Sequence, residues 1–208
     1  MDFGHFDYRV PTDWTNGNLG DLAVIKTTTF KPDKEPDTIV EHYSIPALDE
    51  KHFPVFEVAG GIKSNKYLLT KDSVMISKLN PDTKRIWRPL CLSDTPICST
   101  EFIVFEAKRQ QNKDYIYSIL DSTAFSNHLC SNVTGSTGSR QRAVPKATLG
   151  FEVKIPPQSV IDEFCSIVTP IYDFIAKNEI ANQRLAETRD KLLPKLMSGE
   201  LDVSELAI

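Results

Sequence analysis

Gly135-Ser136-Thr137-Gly138-Ser139-Arg140-Gln141-Arg142 is the stretch of this sequence with the most distinct chemistry. Its two glycines let a backbone approach a ligand closely and expose N–H groups. Ser136, Thr137, Ser139, Arg140, Gln141 and Arg142 supply donors only or mainly. That inventory suits phosphates and base edges, since Arg can fork onto guanine and Gln onto adenine. A flexible surface loop would have the same composition. It is not a P-loop, because no Gly-Lys-Ser/Thr closes it.

Ser77-Lys78-Leu79-Asn80-Pro81, with Arg85, Trp87 and Arg88, forms a second basic and aromatic patch. Lys78, Asn80, Arg85 and Arg88 are its candidate nucleic-acid contacts; the alternative is a strand edge guarded by Lys and Arg. Ser64-Asn65-Lys66-Tyr67 is a weaker third patch, with Lys66 as its cation. An enzyme reading competes. Pro81-Asp82 is followed by Glu106-Ala107-Lys108, and on a strand Glu106 and Lys108 share a face. Asp82, Glu106 and Lys108 together could hold Mg²⁺ and activate a water for phosphodiester cleavage, as in restriction-type nucleases. Glu152-Val153-Lys154 matches the second half of that pattern equally well. No GxSxG, HExxH, Asn-Pro-Pro-Tyr-like or Gly-rich nucleotide motif appears elsewhere.

Charge is distributed unevenly. The formal net charge is −4, but residues 1–59 sum to −6, residues 60–149 to +6 and residues 150–208 to −4. The middle segment is therefore the natural place for a phosphate backbone. No run of about 18 apolar residues is present, so no membrane span is expected. Met1-Asp2-Phe3-Gly4-His5 does not read as a signal peptide. Cys91, Cys98, Cys130 and Cys165 form no CxxC pair, which points to reduced thiols in a cytoplasmic protein rather than zinc or a disulfide framework. His5, His42, His52 and His128 are scattered, and no metal or cofactor site is expected.

The elements that would position these residues are short. Strands are expected at His42–Leu48, Tyr67–Leu69, Val74–Leu79, Arg85–Arg88 and Phe102–Phe105, and a helix over Asp114–Ser131 with Ile116, Ile119, Leu120 and Phe125 inward. Leu149–Pro157 closes this part. Short strands, one helix and long loops indicate an α+β head.

A different pattern follows. Val160, Phe164, Ile167, Ile171, Phe174, Asn178, Ala181, Leu185, Thr188 and Leu192 recur with alternating gaps of four and three. This is a heptad seam that needs a partner, with Asn178 suited to fixing register. At about 1.5 Å per residue such a helix reaches roughly 50 Å. Pro170 predicts a break: a short helix from Ser159 to Val168, then a long one with Thr169 as N-cap. Pro194 and then Ser198-Gly199 are expected to end the helical region.

Together these pieces resemble one family, the DNA-specificity subunits of type I restriction–modification enzymes. Pro11-Thr12-Asp13-Trp14 with Leu19-Gly20-Asp21-Leu22 is similar to the family's opening. Tyr43-Ser44-Ile45-Pro46-Ala47, Ile76–Pro81 with Ile86-Trp87, and Ser99-Thr100-Glu101-Phe102 resemble its recognition-domain signatures. The Gly/Thr/Arg/Gln loop and the tail Leu192–Leu201 resemble its close. A full family subunit carries two recognition domains separated by two antiparallel helices, which space the half-sites and dock methyltransferase subunits. One head and one arm correspond to half of that plan.

The resulting expectation is a mixed α/β target-recognition head over residues 1–157 and a helical, coiled-coil-like arm over 158–208. The head binds double-stranded DNA sequence-specifically through Lys66, Lys78, Asn80, Arg85, Arg88, Ser136, Thr137, Ser139, Arg140, Gln141 and Arg142. The arm pairs with a second copy through Ile171, Phe174, Asn178, Ala181, Leu185 and Leu192. The resemblance implies that chemistry belongs to partner methyltransferase and restriction subunits. The competing readings are the Mg²⁺ nuclease and a coiled-coil interaction protein with no DNA role.

Overall fold

The computed structural model describes residues 11–135 and 141–201. In chain order the strands are β1 (Thr15–Asn18), β2 (Ala23–Lys26), β3 (Thr29–Phe30), β4 (Ile39–Tyr43), β5 (Val55–Val58), β6 (Lys66–Leu68), β7 (Ser73–Ser77), β8 (Ile86–Trp87), β9 (Pro96–Ser99), β10 (Phe102–Ala107), β11 (Val133–Thr134), β12 (Arg142–Ala143) and β13 (Glu152–Ile155). The α-helices are α1 (Leu19–Leu22), α2 (Ile45–Lys51), α3 (Lys113–Asp121), α4 (Thr123–Ser131), α5 (Pro145–Thr148) and α6 (Gln158–Met197). The described residues divide by packing after Val168 into two units. The first is an α+β head, and the second is helical, as expected for the fold class.

A four-stranded sheet, in the order β2-β10-β7-β8, lies at the centre of the head. Its two middle strands are antiparallel, with Phe102 opposite Ser77 and Glu106 opposite Ser73. Every residue of β7 is buried, because both faces of the sheet are covered. Strand alternation then sends neighbours to different cores. Val74, Ile76, Ile103 and Phe105 pack with Ile116 and Leu120 of α3 and with Phe125 and Leu129 of α4. Met75, Phe102 and Val104 face the other way, onto Tyr43, Trp87 and Cys98. Tyr43 and Trp87 meet edge to face with ring centroids 4.7 Å apart. Tyr43 and Cys98 belong to a second sheet, of order β3-β6-β9-β4-β5.

The start and end of the head are tied together. β1 pairs antiparallel with β13, with Gly17 opposite Val153. A Cβ on Gly17 would come within 2.4 Å of Ile155 Cδ1, so the end of that side chain would have to shift to admit one.

The local sequence readings fare unevenly. Tyr67–Leu69, Val74–Leu79, Arg85–Arg88 and Phe102–Phe105 all contain strand, as expected. His42–Leu48 does not form one strand: β4 ends at Tyr43 and α2 begins two residues later. The cause is Ser44, whose Oγ accepts from the Ala47 amide as an N-cap, with Pro46 in the first turn. The expected helix over Asp114–Ser131 is two helices. Ser122 leaves the helical region at ψ 149° and caps α4 through Phe125 N–H. A Ser that can accept that bond competes with helix continuation.

The largest correction concerns Pro170. Helix α6 runs unbroken from Gln158 to Met197 and includes both Pro170 and Pro194. Proline deletes one donor, which leaves the Ser166 carbonyl without its helical partner. Ser166 and Pro170 are both exposed, so water can serve that carbonyl. The helix ends where Gly199 adopts φ +74° and its N–H bonds the Leu196 carbonyl.

Candidate nucleic-acid interface

Two of the basic patches, more than sixty residues apart in sequence, are joined by backbone. Beyond β7, Lys78 N–H donates to the Glu101 carbonyl at 2.8 Å, and the Lys78 carbonyl accepts from Ala143 N–H at 2.8 Å. Leu79 bridges Arg142, and Asn80 N–H donates to the Gln141 carbonyl at 3.0 Å. Asn80 takes φ +48°, a left-handed conformation that Asn tolerates better than most residues. Strands β11 and β12 form the stem of a hairpin, with Thr134 opposite Arg142. Gly135 and Gln141 flank its loop. Ser136, Thr137, Ser139 and Arg140 lie outside the described residues.

Arg142 is forked onto Glu101, with Nε 2.9 Å from Oε2 and Nη2 3.0 Å from Oε1. This hydrogen-bonded carboxylate raises the arginine's pKa above its ordinary value. The fork occupies two of five guanidinium donors and leaves the rest facing water. Asn80 Oδ1 is buried with no hydrogen-bond partner among the described residues.

The remaining sequence candidates are placed elsewhere. Arg85 is forked onto Asp49 at 2.7 and 2.8 Å, which lowers the Asp49 pKa and raises that of Arg85. Arg88 is forked onto buried Asp114, at 2.7 and 3.2 Å. Lys66 is buried in the second sheet, and its Nζ donates to the Ser64 carbonyl and hydroxyl. Burial lowers the Lys66 pKa. Of the described candidate cations, Lys78 is the one with no side-chain partner among the described residues. The described candidate arginines are therefore each neutralised internally. Asp49, Glu101 and Asp114 do this, and residue spacing gives no signal that would pair them with these arginines.

The residues of the nuclease reading are not brought together. Glu106 lies opposite Ser73 at one end of β7, and Asp82 follows Ser77 at the other. Four strand steps, about 13 Å, separate those ends. Glu106 is instead held by the Thr70 hydroxyl at 2.8 Å and by Lys26 at 3.3 Å. Among the described residues, no group of three His, Cys, Asp or Glu could hold a metal ion.

The root of α6 belongs to the head. Ile161 and Cys165 are buried, and the Phe164 ring meets that of Tyr115 at 5.8 Å. Gln158 and Asn112 exchange side-chain amide bonds at 2.7 and 3.3 Å. In the second unit the seam is open. Ile171, Phe174, Leu185 and Leu192 are all exposed, Leu185 to 67%. Asn178 and Ala181 are exposed beside them.

No protein-family model matches the chain. It is 26% identical over 215 residues to the type I restriction enzyme MjaIX specificity subunit of Methanocaldococcus jannaschii, covering 96% of this chain and 47% of that protein. It is 28% identical over 92 residues to the HindI specificity subunit of Haemophilus influenzae, covering 44% of this chain and 20% of that protein. The fold agrees along nearly its whole length with the HsdS subunit of Thermoanaerobacter tengcongensis, at TM-score 0.62 and 20% identity over 97% of this chain and 52% of that one.

The chain is similar to one half of a type I DNA-specificity subunit. A chain from a type I restriction–modification assembly gives TM-score 0.64 at 19% identity, covering 97% of this chain and 53% of the other. The chain thus spans about half the length of the relatives it matches end to end. Among the described residues, no helix is long and apolar enough to cross a membrane.

Proposed function

We propose that this chain reads one half-site of double-stranded DNA as a specificity subunit and directs partner methyltransferase and restriction subunits to it. The observation that carries this reading is the sequence match to a specificity subunit over 96% of the chain. The backbone stitching of Lys78–Asn80 to Gln141–Arg142 supports it, because it presents the donor-rich loop from a rigid sheet. On this reading residues 1–157 are the target-recognition domain, and residues 158–208 are the spacer, pairing and docking arm. The protein works in the cytoplasm and does no chemistry itself; methyl transfer and cleavage belong to its partners. Lys78, Asn80 and Gln141, with Ser136, Thr137, Ser139 and Arg140, form the base-reading edge, and the fork of Arg142 onto Glu101 holds its stem.

Two copies joined through Ile171, Phe174, Asn178, Ala181, Leu185 and Leu192 would supply two identical heads. The preferred site is then a spaced palindrome. Selection of bound duplexes from a random pool, with the methyltransferase partner present, tests this. Enrichment of two inverted copies of one short sequence at fixed spacing is expected, and a pool that remains random contradicts it.

A further inference from the structure

Lys78 is not the only cation without a side-chain partner among the described residues; a second group of cations stands apart from the candidate interface. They lie at the other end of the central sheet, in the loop Lys108-Arg109-Gln110-Gln111-Asn112 that follows β10. Lys108 and Arg109 are exposed, and their side chains have no hydrogen-bond or ion-pair partner among the described residues. Lys71, exposed on the adjoining turn, is likewise unpaired at its ammonium.

This loop is braced on several sides. Lys108 N–H donates to the Leu22 carbonyl at 2.8 Å, and Asn112 N–H to the Arg109 carbonyl at 2.9 Å. The Gln110 amide donates to both oxygens of Asp72, at 2.9 and 2.8 Å. Lys113 Nζ donates to the Lys71 carbonyl, and buried Asn112 is held by Gln158. The nearby acids are already engaged, Asp72 by Gln110 and Glu106 by Lys26 and Thr70. Two cations on a braced loop and a third on the adjoining turn, with the nearby acids held elsewhere, form a preorganised site for a multiply charged anion.

We infer that Lys71, Lys108 and Arg109 form a second contact with nucleic acid, gripping the phosphodiester backbone away from the base-reading edge. The inference rests on the DNA-binding reading. Five strand steps of β10, about 17 Å, separate this loop from Glu101 and Lys78, so it is a different station from the hairpin. Lys and Arg contacts to phosphate position a duplex rather than specify its sequence.

The test is the salt dependence of duplex binding by the full chain, followed by fluorescence anisotropy. Lys108→Ala/Arg109→Ala is compared with Lys31→Ala/Lys34→Ala, which removes two exposed cations from the acidic first segment. All four side chains are exposed, and circular dichroism checks that the folds are equal. Loss of two phosphate contacts lowers the slope of log affinity against log salt by about two. Between 50 and 200 mM salt, the Lys108/Arg109 variant then loses about tenfold less affinity than the parent. The Lys31/Lys34 variant keeps the parental slope. A parental slope in the Lys108/Arg109 variant, or equal drops in both variants, overturns the inference while leaving the DNA-binding reading intact. A parent chain that binds no duplex at low salt overturns the DNA-binding reading itself. If the parent binds no duplex and the Lys108/Arg109 variant loses methyltransferase association that the parent has, the loop serves a protein partner instead.

Discussion

Arg142 and Glu101 meet through two parallel hydrogen bonds, at 2.9 and 3.0 Å, at the foot of the donor-rich hairpin. Glu101 sits in the β9–β10 turn, where its carbonyl also accepts from Lys78 N–H. The pair therefore pins the stem to the sheet. Glu101→Ala and Arg142→Ala should each weaken DNA binding on the order of tenfold by loosening the loop. The double variant should be no weaker than either single one, because both remove the same restraint. Titration of the four proteins against one duplex checks this; additive losses would make Arg142 a direct contact.

Arg88 acts on stability before it acts on DNA. Its fork onto Asp114 is internal, with the Asp114 side chain 4% exposed. Arg88→Ala removes the fork from a buried carboxylate and should cost about 3 kcal/mol. Urea unfolding measures the loss. A midpoint equal to the parent's would return Arg88 to the list of free cations.

Tyr43 holds the Leu90–Ser93 segment. Its hydroxyl donates to fully buried Glu41 and accepts from the Leu90 and Cys91 amides at 2.8 and 3.1 Å. Burial pushes its pKa well up, so it stays a donor throughout the accessible pH range. Tyr43→Phe keeps the ring against Trp87 but orphans these groups, at about 1–3 kcal/mol. Thermal unfolding should show the drop, and an unchanged transition would mean that water replaces the hydroxyl.

Acid should destabilise the head through His42. Burial lowers its pKa below the ordinary 6.5; Glu57, 2.7 Å from Nδ1, opposes that shift, and Lys66 adds to it. With Nδ1 donating to Glu57, the buried Nε2 has no partner among the described residues, and protonation there is unfavourable. The unfolded chain thus takes up its proton first as pH falls. This share of stability is complete above about pH 6.5 and is lost below it. His42→Gln should flatten the change in urea midpoint between pH 7.5 and 5.5; an equal change in both proteins would assign the acid sensitivity elsewhere.

The arm should self-associate. Leu185→Glu places an unpaired charge in the seam and should turn a dimer into a monomer. Light scattering at tens of micromolar reads the outcome. A monomer for the unmutated chain would hand the seam to a different partner.

Apolar spacing carried much of this protein without coordinates. The β7 and β10 runs and the inward Ile116, Leu120 and Phe125 were legible, because burial imposes period 2 on strands and period 3.6 on helices. The helical course of the second unit was legible in its four-three apolar spacing, although those residues are exposed, and so was the helix stop at Gly199, which needs a positive φ. Residues that act through a single hydrogen bond were harder to read: Ser44 and Ser122 each started a helix where the apolar pattern ran on. Pro170 failed as a breaker, because one lost bond on an exposed face is cheap to hydrate.

Tertiary structure alone decided which charges are free. The sequence placed +6 in residues 60–149, but not that Arg85, Arg88 and Arg142 would meet Asp49, Asp114 and Glu101. Those pairs join residues 26 to 41 positions apart, and no periodicity links them. Sheet order also placed Asp82 and Glu106 at opposite ends of β7, which separates a triad that looks plausible in one dimension. Charge acts through space, so its meaning waits on the fold, whereas the periodicity of burial is written along the chain.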